Sequence, residues 1–154
     1  MTSPHATISW HCQHFNDLSL SVAHAIFQAR NAVFVVEQNC VYQDIDGKDP
    51  LCHHLFALDQ QARLLAYLRI VPAGLSYAEP SLGRVLTTQA GRGAGLGKEL
   101  LQQGISHCQQ IHGETAIRIS AQAYLEKFYA TFGFTSVSEL YLEDDIPHLE
   151  MLKP

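Results

Sequence analysis

The sequence has no long apolar run, no basic tract, no closely spaced cysteines and few charges. No stretch approaches the ~20 apolar residues a helix needs to cross a bilayer, so no membrane span is expected. The opening "MTSPHATISWHCQHF" lacks a basic segment followed by an apolar one and predicts no signal peptide. With no clustered Lys and Arg, and a net charge of −5, the electrostatic footprint of a nucleic-acid binder is missing. Cys12, Cys40, Cys52 and Cys108 form no C-x-x-C pair, which fits free thiols in the cytoplasm. Charged residues are 16% against 47% hydrophobic, the wrong balance for disorder. A length of 154 residues suits one domain, 1–154, with one sizeable core.

Nine histidines raise the question of a metal. Their clusters with cysteine, "HCQH" at 11–14 and "CHH" at 52–54, match no closed zinc pattern, and no metal is expected. "DIDGKD" at 44–49 resembles the start of a calcium loop, but Asp49 stands where the sixth-position glycine belongs and Leu55 where the twelfth-position glutamate belongs. A turn is the better reading.

Periodicity gives an order β-α-loop-β-β-β-α-β-α-β-β. A first strand is expected over 7–12, and a helix from about Ser19 to Phe34, with Asn16, Asp17 or Ser19 as its cap. "HLFALD" and "RLLAYLRIV" predict an antiparallel hairpin, and "LGRVLTT" a fourth strand. Leu96, Leu100, Leu101, Ile105, Cys108 and Ile111 share one half of a helical wheel, opposite Lys98, Glu99, Gln102, Ser106 and Gln109. "AIRISAQ" alternates as a fifth strand. "AYLEKFYATFGF" reads as a short helix closed by Gly133, and "TSVSELYLE" and "HLEML" as two closing strands.

Between the fourth strand and the long helix lies "QAGRGAGLG", 89–97, with four glycines in nine residues. A strand feeding a glycine-rich turn that opens a helix is an anion site. The first helical amides have no partner within the helix, the dipole adds about half a positive charge, and glycine lets a phosphate approach the backbone. Arg92 and Lys98 stand at its rim. The dinucleotide fingerprint fails because Lys98 occupies its third glycine. The P-loop pattern fails at Arg92 and at Glu99. The pattern that fits is [Q/R]-x-x-G-x-[G/A], as Arg92-Gly93-Ala94-Gly95-Leu96-Gly97.

These residues resemble motif A of the GNAT superfamily of N-acetyltransferases. "FYATFGF" at 128–134 resembles the family's motif B, in the right order with one strand between. "RNAVFVVEQNCVYQDIDGKD" and "EDDIPHLEM" are similar to the bacterial ElaA-like subfamily. The resemblance implies an α/β fold with a mixed, mostly antiparallel sheet flanked by helices, its fourth and fifth strands splayed. It implies acetyl-CoA as donor. Val85, Leu86 and Thr87 would lie along the pantetheine arm, and the amides of Arg92, Gly93, Ala94, Gly95, Leu96, Gly97 and Lys98 would face the pyrophosphate. Gln122 replaces the asparagine common at that position and would reach the pantetheine with a longer amide. Dimers occur in such families, so a homodimer is compatible with it.

Acetyl transfer needs a neutral amine, donors for the oxyanion and a proton for the departing thiolate. Tyr129 matches the family's acid. Its alternative is a packed ring whose hydroxyl satisfies a backbone group. Glu37, after the apolar "VFVV", is expected to border the acceptor as a base, with burial beside Val35 and Val36 raising its pKa. The alternative is a loop-anchoring carboxylate. His54 is the other residue expected at the acceptor site, with His53 and His148 as further base candidates. Arg69 and Arg84, inside apolar strands, require partners, and Glu37 or Asp46 would serve. The acceptor is expected to be a small-molecule or peptide amine. A CoA-binding or protein-interaction module without catalysis is the alternative function.

Overall fold

The computed structural model describes residues 7–154. Residues 1–6, where the reading of a missing signal peptide begins, lie outside the described residues. Strands β1 (Ser9–His14), β2 (His53–Leu58), β3 (Leu64–Val71) and β4 (Ser81–Thr87) form an antiparallel sheet in that order. A second sheet centres on β8 (Ile146–Lys153), which pairs antiparallel with β5 (Ile117–Gln122), β6 (Thr135–Ser136) and β7 (Tyr141–Glu143). The helices are α1 (Leu20–Arg30), α2 (Leu96–His112) and α3 (Glu126–Ala130).

The mixed α/β fold, with mostly antiparallel sheets and flanking helices, is the expected one. Strand β3 is buried along its whole length, as its unbroken apolar run demands for a strand covered on both faces. On one side Leu96, Leu100, Leu101 and Cys108 of α2 join Leu55, Leu65 and Leu68 in the main core. On the other, Ile26 of α1 packs with Phe56, Leu64, Tyr67 and Leu86. Of the α2 face read from the sequence, Ile105 packs at the core margin and Ile111 is exposed. In β5 the alternation holds: Ile117, Ile119 and Ala121 are buried while Arg118, Ser120 and Gln122 are half-buried.

Three boundaries differ. Strand β1 runs over Ser9–His14 because its extent is set by pairing with β2, from Ser9 opposite Leu58 to His14 opposite His53. The first helix, capped by Ser19 accepting from the Val22 amide at 3.1 Å, stops as an α-helix at Arg30. Asn31–Glu37 then widens into a π-helical turn, with the Cys40 amide donating to Val35 at 3.0 Å. The expected strand "TSVSELYLE" splits into β6 and β7, which meet β8 at different registers.

Strands β4 and β5 lie in different sheets. The Arg118 amide donates to the Pro80 carbonyl at 3.1 Å, tying the start of one strand to the start of the other. Beyond that bond they part, and the gap opens toward Thr87 and Gln122. A bulge in β4 helps. Arg69 faces Gly83 and Tyr67 faces Leu86, so Arg84 and Val85 stand opposite Leu68 alone, with Arg84 in the left-handed region at φ 52°.

Candidate functional site

The gap between β4 and β5 is a cleft of about 600 Å³. Val85, Leu86 and Thr87 line one wall, Ile119, Ser120 and Gln122 the other. The π-helical turn supplies Val33, Phe34 and Glu37, and α3 supplies Tyr129. Toward the tied end, Lys48, Ser76, Tyr77 and Ser81 close the space, while His148 pairs with Gln122 at the open end.

At the open end β4 passes through a 3-10 turn, Gln89–Gly91, into the glycine segment. The cleft lining reaches Arg92, and residues 93–98 continue beyond its rim into the first turn of α2. The four glycines do different jobs. A Cβ on Gly91 would stand 2.1 Å from the Leu65 carbonyl oxygen, so this glycine lets the turn press against β3. Gly93 and Gly95 hold φ of 84° and 70°, the left-handed region that other residues enter at a cost. Neither strain nor a neighbour demands glycine at 97. Among the described residues, no backbone carbonyl or side chain accepts from the amides of Gly93, Ala94 or Gly95. The first-turn amides of α2 have no intrahelical acceptor either.

Tyr129 is 7% exposed, edge-on to Phe128 and Phe134. Its hydroxyl has no hydrogen-bond partner among the described residues, so the alternative of a phenol spent on the backbone does not describe it. Burial, with a smaller push from Tyr124, raises its pKa to about 12, and the phenol is protonated at any physiological pH.

Glu37 lines the cleft but is not buried. Its carboxylate is 2.7 Å from Arg92 Nη2, with side-chain exposures of 47% and 36%. The expected burial beside Val35 and Val36 is absent because Val36 itself is 68% exposed. Gln122 lines the cleft and its amide donates to Gln38 at 3.5 Å.

His54 corrects the sequence reading. It is 0% exposed, outside the cleft, with Nδ1 2.7 Å from the Tyr67 hydroxyl and Nε2 3.1 Å from the Asp49 carbonyl. That pattern assigns Nε2–H as donor to Asp49 and Nδ1 as acceptor from Tyr67. Burial lowers its pKa, keeping the ring neutral as part of the core. His53 also points away, toward His14 and His112. His148 does reach the cleft, with Nε2 3.3 Å from Glu143 and Nδ1 2.7 Å from the Ile146 carbonyl.

Arg69 and Arg84 find partners in Asp46 and its neighbours, not in Glu37. Arg69 contacts Asp46 at 2.7 and 2.9 Å and Asp49 at 3.1 Å. Arg84 Nε is 2.8 Å from Asp44 Oδ1, close as an ion pair but off the line for a hydrogen bond, while Nη2 donates to the Asp44 carbonyl at 3.0 Å. The sequence reading missed Arg30, which is fully buried and holds Asp44 at 2.9 Å and Asp49 at 2.6 Å. Its spacing from Ile26 (i, i+4) on the inward face of α1 is the signal that identifies it. The loop suspected of calcium binding is thus filled by guanidinium groups. Burial opposes ionisation of Asp46, but the Arg69 bonds outweigh it and hold the carboxyl well below its usual range.

The thiols give no sign of a covalent route. Burial raises the pKa values of Cys12, Cys52 and Cys108 to about 11. Cys40, on the cleft wall, is also raised, by desolvation and by Asp144 and Asp145. Among the described residues no group of three His, Cys, Asp or Glu could hold a metal ion, and no helix is long and apolar enough to cross a membrane.

Comparison with known proteins places this geometry. A family model described as an acetyltransferase (GNAT) domain matches residues 22–154. Protein ElaA of Escherichia coli is 40% identical over 147 residues, covering 95% of this chain and 96% of that one. A UPF0039 protein of Synechocystis is 42% identical over 145 residues, 94% of each chain. Among solved structures, an acyl-CoA N-acyltransferase from Pseudomonas aeruginosa superposes with a TM-score of 0.91 at 41% identity, covering 96% of this chain and 100% of that one. The E. coli ElaA crystal structure gives 0.88 at 38%, covering 96% and 99%. The splayed strands, the open amides and these whole-length similarities lead to one conclusion: the chain belongs to the GNAT acetyltransferase family, in its ElaA-like branch.

Proposed function

We propose that the protein is an acetyl-CoA-dependent N-acetyltransferase that moves the acetyl group directly to a primary amine. The observation that carries this is the set of open amides at residues 93–95 and in the first turn of α2, at the mouth of the cleft. Those amides are suited to a diphosphate. Open space beside Gly97 leaves the backbone approachable. Val85, Leu86 and Thr87, with Gln122 opposite, would flank the pantetheine arm.

In this reading the amine nitrogen attacks the thioester carbonyl. The new C–N bond forms, the C–S bond breaks, and the electron pair leaves on sulfur. Tyr129 donates its hydroxyl proton to that thiolate. The proton lost by the amine passes to water or to Glu37 once Arg92 is engaged elsewhere. The mobile acetyl group never resides on the protein, in keeping with the raised thiol pKa values. Four free cysteines suit the reducing cytoplasm, where we place the protein.

The test is calorimetric titration of acetyl-CoA, followed by thiol release across a panel of amines. Binding with amine-dependent release is expected. Binding without release from any amine would favour a non-catalytic CoA module, and no binding would remove the reading altogether.

A further inference from the structure

Two charges on the cleft lining are left unbalanced, Lys48 toward the tied end and Asp144 in the β7–β8 turn past Gln122. Four cations line the cleft: Lys48, Arg69, Arg84 and Arg92. Arg69 is held by Asp46 and Asp49, Arg84 by Asp44 and Asp46, and Arg92 by Glu37. Lys48 is different. Its ammonium donates to the Ser76 hydroxyl at 3.0 Å and has no carboxylate partner among the described residues. It is half-buried, so bulk water does not fully compensate it. The anions show the mirror image. Glu37 and Asp46 are paired with arginines and Glu143 with His148. The Asp144 carboxylate, in the β7–β8 turn at the cleft edge, has no cationic partner among the described residues.

The position of Lys48 matters as much as its charge. Ser76 belongs to the loop between β3 and β4, which leads into Ser81, the first residue of β4. Thr87, at the other end of that strand, leads into the glycine segment. Six steps along a strand separate them by about 20 Å. An anion held by Lys48 is therefore not the donor's diphosphate; it belongs to whatever enters from the acceptor end. A single ammonium and a single hydroxyl match a monoanion.

We infer that the acceptor carries a carboxylate as well as its amine, and that Lys48 with Ser76 binds that carboxylate while Asp144 draws the cationic amine to the cleft. The substrate class is an amino acid or short peptide. This rests on the acetyltransferase reading and deepens it; Lys48 is its specificity-determining residue.

Matched pairs that differ only in the carboxylate test it: lysine against 1,5-diaminopentane, phenylalanine against phenethylamine, and β-alanine and 6-aminohexanoate against ethylamine and pentylamine. 2-Aminoethylphosphonate provides the spacing of β-alanine with a dianion. At saturating acetyl-CoA, at least one acid should exceed its carboxylate-free partner in kcat/KM by about tenfold or more. Lys48→Met should collapse that ratio toward one, chiefly through KM, with Ser76→Ala intermediate. Thermal melting of each variant separates loss of fold from loss of preference. Acetylation of the carboxylate-free amines at equal or higher kcat/KM overturns the inference and leaves the acetyltransferase reading standing. So does a preference for 2-aminoethylphosphonate, or an acid preference that survives Lys48→Met. Absence of acetyl-CoA binding to the wild-type protein overturns both.

Discussion

Arg92 and Glu37 meet at 2.7 Å, joining the rim of the glycine segment to the end of the π-helical turn. In this pairing neither is free for the role its position suggests: Arg92 is not open to a diphosphate, and Glu37 is not open to an amine proton. The pair is partly exposed, so it is worth less than about 1 kcal/mol and is easily exchanged. If the diphosphate takes Arg92, Glu37→Gln removes a competitor. CoA should then bind about two- to fivefold tighter while kcat falls. Calorimetry and steady-state rates on one preparation check both directions; weaker binding in the variant would show that the pair persists in the complex.

Tyr129→Phe should lower kcat by about 100-fold with little change in CoA affinity, because the ring packing is kept and only the proton donor goes. With its pKa pushed up to about 12, the phenol should produce no alkaline loss of activity below pH 10. An unchanged kcat would remove it from the mechanism.

Gly91→Ala and Gly97→Ala should separate folding from ligand binding. At Gly91 the new methyl meets the Leu65 carbonyl oxygen at 2.1 Å, and a loss of about 1–3 kcal/mol or more in denaturant unfolding is expected. At Gly97 it meets nothing, so Tm should hold while CoA affinity drops.

Removing Arg30 leaves three carboxylates, Asp44, Asp46 and Asp49, to two guanidiniums, Arg69 and Arg84. Arg30→Ala should cost about 3–5 kcal/mol, read from the urea midpoint. A loss under 1 kcal/mol would mean that Arg69 and Arg84 suffice to compensate the carboxylates.

Stability should fall on the acid side of neutrality. Burial lowers the pKa values of His53, His54 and His112, so the folded state favours their neutral forms. The unfolded chain, with histidine near 6.5, binds more protons below that pH. The contribution is complete above about pH 6.5 and is lost as pH falls toward 5. His54, the fully buried one, contributes up to about 1.4 kcal/mol per pH unit in that window. Melting of wild type and His54→Gln from pH 7.5 to 5 should show a shallower slope in the variant. Equal slopes would exonerate His54.

Elements whose information is local were legible in the amino-acid order. The β2–β3 hairpin, the buried face of α2 and the glycine turn each follow from a short pattern that meets one surface. Tyr129 was legible in the same way, because its motif also fixes its place on α3. His54 and Glu37 were not. Strand alternation says that His54 lies on one face or the other, but only the packing of Tyr67 and Asp49 against it decides that this face is interior. The environment of Glu37 depends on a π-helical turn and on an arginine 55 positions later, neither of which its neighbours encode.

The sequence by itself determined that a strand, a run of exposed amides and an amphipathic helix would follow one another from Ser81 to His112, since backbone chemistry and 3.6-residue periodicity act over a few residues. Only the tertiary structure decided which charges are spent and which are left over. Arg30, Arg69 and Arg84 are neutralised by a loop brought to them from 14 to 40 positions away, while Lys48 in that same loop is not. Coulomb interactions depend on separation in space, and that separation exists only once the chain has folded.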